Sequence, residues 1–106
     1  MTQNLPFACN MAAIPPVERA RHHILIKRLV SELATPVSAA RDAVALSVPA
    51  SAYDDVVLFI ARERLCCPFL HFSLALPPRQ GAMTLTLSGP PGAAEFIRAE
   101  LGLPQS

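Results

Sequence analysis

The chain has no tryptophan and little charge. Charged residues fill 16% of its 106 positions, and the formal net charge is +1. This balance excludes a strong nucleic-acid footprint, which needs lysines and arginines clustered on one face. No apolar run approaches the roughly 20 residues that span a bilayer, so no membrane partner is expected. The opening residues, Met1-Thr2-Gln3-Asn4-Leu5-Pro6, lack both a basic stretch and an apolar core, and they do not read as a signal peptide. A cytoplasmic location follows as the expectation. Glycine is scarce, with four residues, and Gly89-Pro90-Pro91-Gly92 has too many prolines to cradle phosphate with N–H groups. The G-x-S-x-G and H-E-x-x-H patterns are also missing. No catalytic residues are assigned, and binding rather than turnover is the expected activity.

What the chain does have is apolar material and punctuation. Hydrophobic residues make up 52% of it, and there are eleven prolines. The length suits one domain spanning 1–106, with residues 1–14 as a docked N-terminal arm. So little charge over so apolar a chain leaves room for an exposed apolar patch, which suggests self-association as a homodimer.

Pro15-Pro16 opens a first helix, where the missing N–H of proline costs nothing. His22, Leu25, Ile26, Leu29, Val30 and Leu33 recur at three-and-four spacing and form one stripe. Thr35-Pro36 ends the helix. Residues 41–48 alternate as a strand, with Val44, Leu46 and Val48 on one side. A second helix follows, capped by Ser51, with Tyr53, Val56, Val57, Ile60 and Ala61 as its expected apolar face. Pro68 stops it near Cys66 or Cys67. Residues 69–76 and 83–87 alternate around the turn Pro77-Pro78-Arg79-Gln80-Gly81 and predict a hairpin. A last helix carries Ala93, Ala94, Phe96, Ile97 and Leu101, closed by Gly102 and Pro104. The expected fold is α+β and two-layered: a small three-stranded mixed sheet with three helices, in the order α-β-α-β-β-α. The strand–helix–strand unit predicts a parallel pair with a right-handed crossover.

The chemistry concentrates in Glu63-Arg64-Leu65-Cys66-Cys67-Pro68-Phe69-Leu70-His71-Phe72. Two neighbouring residues on a helix point about 100° apart, so Cys66 and Cys67 converge only if the chain leaves helical geometry there. Their place at a helix C-terminus disfavours a free thiolate and favours a bound cation. Cys9 on the arm is the natural third ligand, with His71 and His22 as further candidates. Three thiolates suit a soft ion such as zinc, mercury, cadmium or copper(I). An odd count of three cysteines in a reducing compartment is expected to stay reduced. Two other readings stand beside this one. The adjacent cysteines could act as a thiol-redox pair, with Cys9 resolving. They could also simply pack in a structural or interaction module, since free cysteine is among the most buried residue types. Arg19 is expected to pair with a carboxylate such as Glu63.

Phe7-Ala8-Cys9-Asn10-Met11, followed by Glu63-Arg64-Leu65-Cys66-Cys67-Pro68-Phe69 and Phe72, resembles a family of short bacterial proteins of unassigned function. These carry an F-A-C-x-M arm, an E-R-x-C-C-P-F-x-x-F motif and a glycine-containing start to the last helix, matched here by Gly89 and Gly92. The family's glycine-aromatic pair before the first strand is replaced around Ala40-Arg41-Asp42. The resemblance implies that Cys9, Cys66 and Cys67 belong together, and it names no ligand.

Overall fold

The structure is a computed structural model that describes residues 9–104. Residues 1–8 of the expected arm, including Phe7 and Ala8, lie outside the described residues. A short 3-10 turn, Met11–Ala13, leads into helix α1 (Pro16–Arg28), which continues as a π-helical turn over Leu29–Leu33. Strands β1 (Thr35–Ala39) and β2 (Ala43–Val48) follow, then helix α2 (Tyr53–Cys66), strands β3 (His71–Ala75) and β4 (Met83–Ser88), and helix α3 (Ala93–Leu101).

The sheet corrects the expected one in two respects. Among the described residues it has four strands, and it is antiparallel throughout; its order, which the sequence leaves open, is β1-β2-β4-β3. The element order is therefore α-β-β-α-β-β-α. The added strand, β1, occupies the stretch where Pro36 reads only as a helix stop. Proline is tolerated on an edge strand because its missing N–H faces away from the ladder. The register shift between Pro36 and Ser38 marks the irregularity it imposes. With Thr35, Pro36, Val37 and Ser38 all exposed, no alternation betrays the strand. The expected parallel pair is split: β2 and β3 run in the same direction, but β4 lies between them and pairs antiparallel with both. Two hairpins thus meet through β2 and β4.

Register places Val44, Leu46 and Val48 beside Leu87, Leu85 and Met83, with Phe72 and Leu74 beyond them on β3. The β2 and β4 members are all buried, so this is the core face. Helix α3 packs on it through β2 and β4. It buries Ala93, Ala94, Ile97 and Leu101, as the spacing predicts. Gly102 ends α3 in a left-handed conformation at φ 74°. Helix α1 packs against α2, and Phe59 of α2 reaches β3 by an edge-on contact with Phe72.

Helix α1 buries His22, Leu25 and Leu29, the stripe read from spacing. Helix α2 fully buries only Val56 of the face expected and turns a neighbouring face inward. Val56, Phe59, Arg62, Glu63 and Cys66 point inward, whereas Tyr53, Val57 and Ala61 are exposed. Apolar residues surround this helix, so hydrophobicity alone does not select a side. The buried face is the one on which Glu63 finds a partner. No side chain caps α2; a 3-10 turn over Ala50–Ala52 precedes it in place of the expected Ser51 cap. Among the described residues, no helix is long and apolar enough to cross a membrane.

This packing sets a stability expectation. Leu85 is fully buried on the inner strand β4, and Leu85→Ala should cost about 2–5 kcal/mol by lost burial and residual cavity. Val37 on β1 is exposed, and Val37→Thr should stay within about 0.5 kcal/mol of wild type. Urea midpoints of the two variants, measured side by side, check the assignment.

Candidate functional site

The end of α2 is where the chain departs from helical geometry. Cys66 is the last helical residue, and Cys67 caps it at φ −125° and ψ 67°. The Cys67 N–H still donates to the Glu63 carbonyl, at 2.7 Å. Pro68 then occupies the second position of a turn closed by the Leu70 N–H on the Cys67 carbonyl, at 3.1 Å, a place that suits its fixed φ. The break brings together two side chains that a continuous helix would splay, and the sulfurs of Cys66 and Cys67 lie 3.7 Å apart. Gly89 gives this turn its room. A Cβ there would stand 3.1 Å from the Cβ of Ala93 and 3.3 Å from the Cδ2 of Leu70.

The arm delivers the third sulfur. The Asn10 N–H donates to the Cys66 carbonyl at 2.7 Å, filling an acceptor that the helix end leaves open. The Asn10 side chain accepts from the Ala12 N–H and caps the 3-10 turn. Arg19 holds that turn from α1: its guanidinium donates to the carbonyls of Met11, Ile14 and Ala12. The expected pairing of Arg19 with Glu63 is therefore corrected; Arg19 binds backbone, because three carbonyls of the arm converge on it. Cys9 and Cys67 are joined as a disulfide, with Cα atoms 4.6 Å apart. This also corrects the expectation that all three thiols are free. Cys66 alone remains a thiol, and it is fully buried.

Beside the sulfurs lies a buried polar pair that spacing did not single out. His22 of α1 and Glu63 of α2 are 0% and 1% exposed. The His22 Nε2 is 2.7 Å from the Glu63 Oε2, so the ring N–H donates to the carboxylate. The same Oε2 lies 3.8 Å from the Cys66 sulfur, and the Glu63 Oε1 lies 3.5 Å from that of Cys67. Cys66 can donate its S–H to the carboxylate. Cys67, while bonded to Cys9, carries no hydrogen, so its approach to Glu63 becomes a hydrogen bond only after reduction. The His22 Nδ1 is buried with no partner among the described residues. The His22 ring also stacks near Phe59, with centroids 6.1 Å apart.

Burial pushes the Cys66 thiol up to about 12, and the carboxylate of Glu63, then that of Glu100 on α3, add to the effect. Glu100 itself is raised, first by burial and then by the charge of Glu63. Cys66 is thus a poor nucleophile near neutral pH, and a cation that replaces its proton would make it a thiolate there.

The candidate residues do not all converge. The sulfurs of Cys9, Cys66 and Cys67 form one group that could hold a metal ion if the Cys9–Cys67 bond were open, with ligand atoms all within 4.8 Å of one another. His22, Glu63 and Cys66 form another of the same compactness. His71 belongs to neither; it opens β3 exposed, and its register partner is Ser88. Its alternation with Phe72 and Leu74 places it on the sheet face opposite the core. Glu63 was missed as a site residue, although the signal was present: it precedes Cys66 by three residues, the spacing that puts two side chains on one helix face.

The raised thiol has a consequence for stability. A folded-state value above the unfolded one contributes stability at pH below the ordinary thiol range. That contribution is lost as pH climbs from about 9 towards about 12. Urea midpoints of the wild type should fall across this window, and the fall should be shallower in Cys66→Ala, which has no thiol to ionise.

Compared with known proteins, the chain matches no family model, no curated protein and no solved structure.

Proposed function

We propose that this protein binds a soft metal or metalloid ion through the thiolates of Cys9, Cys66 and Cys67, and that it does so once the Cys9–Cys67 bond has been reduced. The observation that carries this reading is the clustering of three sulfurs from two distant parts of the chain within 4.8 Å. Three thiolates favour mercury, cadmium, zinc or copper(I) over hard ions. Reduction by an external dithiol supplies two electrons and two protons, and it leaves the thiols of Cys9 and Cys67 beside that of Cys66. A divalent ion entering such a site displaces three protons and forms three metal–sulfur bonds. The raised Cys66 thiol means that an entering ion must compete with a tightly held proton. Sequestration or delivery of the ion fits a buried site better than turnover does.

A second reading rests on a separate observation, the Cys9–Cys67 bond itself. It makes the protein a thiol-redox carrier in which Cys67 and Cys9 cycle between dithiol and disulfide. This differs from the vicinal pair expected from sequence, because the partner of Cys67 is the arm and not Cys66.

Cadmium separates the two. The reduced protein titrated with Cd2+ should develop sulfur-to-cadmium absorption that saturates at one ion per chain, with all three thiols protected from a thiol reagent. Each single cysteine-to-serine variant should lose affinity by at least about 10-fold, as even outer partners of metal ligands are typically worth that much. Three thiols that stay equally reactive with Cd2+ present would overturn the metal reading and leave the redox one.

A further inference from the structure

We propose that His22, Glu63 and Cys66 form a mixed nitrogen, oxygen and sulfur site for a divalent ion of borderline softness, such as zinc, that remains available when Cys9 and Cys67 are bonded to each other. The site shares Cys66 with the three-thiol cluster but does not need Cys9 or Cys67. Oxidation would therefore change the kind of ion held at this place, and it would not abolish binding.

The ligand atoms are already assembled. Glu63 and Cys66 sit three residues apart on α2, so their side chains leave one face of the helix together. His22 comes from α1, packed across from them. The Oε2–Sγ distance is 3.8 Å and the Oε2–Nε2 distance 2.7 Å. A tetrahedral zinc ion with ordinary bond lengths holds an oxygen and a sulfur about 3.6 Å apart, and an oxygen and a nitrogen about 3.4 Å apart. The first spacing is nearly met. The second requires the His22–Glu63 hydrogen bond to open by about 0.7 Å, as a metal replacing its proton would make it do.

The surroundings favour a cation. The Glu63 carboxylate is almost completely buried, and the Glu100 carboxyl on α3 is close enough for the two charges to act on each other. The buried arginine among the described residues, Arg62, is engaged by Glu18 of α1. His22 is the hydrogen-bonding partner of Glu63, and its second ring nitrogen is buried with no partner among the described residues. In the disulfide form Cys66 is the one thiol of the cluster, since the sulfurs of Cys9 and Cys67 are spent on each other.

Co2+ is the probe, because a thiolate ligand announces itself by sulfur-to-cobalt absorption. The oxidised full-length protein should bind one Co2+ with that signature, displaceable by Zn2+. The double variant Cys9→Ser/Cys67→Ser, which can form neither the disulfide nor the three-thiol site, should do the same under reducing conditions. Cys66→Ser should remove the sulfur signature, and Glu63→Gln should weaken binding at least about 10-fold. Both variants are conservative in size, and their near-ultraviolet circular dichroism checks that the core remains packed. Lack of Co2+ and Zn2+ binding by folded oxidised protein would overturn the proposal, and so would binding that Cys66→Ser leaves unchanged. Neither result touches the three-thiol reading, whose own test uses Cd2+ and the reduced protein.

Discussion

The buried contact between His22 and Glu63 is the constraint on which the rest of the molecule depends. It links α1 to α2 in the core, 41 residues apart in sequence. An ionisable pair at 0% and 1% exposure is tolerated because the Nε2 of His22 and the Oε2 of Glu63 satisfy each other. The pair decides which face of α2 turns inward, and with it the direction in which Cys66 points. It also puts a carboxylate against two sulfurs, where it adds to the effect of burial on the Cys66 thiol.

Around that pair the chain meets itself at one place. Helix α2 ends at Cys66, the turn at Pro68 leads into β3, and the arm closes over the junction through Asn10 and Cys9. Arg19 fixes the arm from the far side by binding its carbonyls. The arm is thus tied by backbone and guanidinium hydrogen bonds as well as by sulfur. None of those hydrogen bonds involves a sulfur atom of the Cys9–Cys67 bond.

Much of this was legible beforehand. The stripe of α1, the core face of α3, the hairpin of β3 and β4 and the end of α2 at Pro68 all follow from spacing and from the two punctuating residues, proline and glycine. The grouping of Cys9 with Cys66 and Cys67 was implied by the resemblance, and Cys9, on an apolar arm, was the natural candidate for a third ligand. Three things were not legible. Strand β1 is exposed, short and carries Pro36, so its pairing with β2 leaves no periodic trace. The face of α2 is ambiguous because Val57, Leu58 and Ala61 are as apolar as the residues that are buried. Strand β4 inserts between β2 and β3, and pairing between strands distant in the chain is not encoded in local alternation.

The sequence by itself determined where the chain must turn, which residues have the chemistry to bind a soft ion, and that Cys66 and Cys67 stand where helical geometry fails. These are local facts, set by backbone dihedrals and by side-chain type. Only the tertiary structure decided that Cys9 bonds to Cys67, that Glu63 faces His22 instead of Arg19, and that His71 lies on the opposite face of the sheet. Each depends on which surfaces pack together, and a buried polar group finds its partner only after that packing has excluded water.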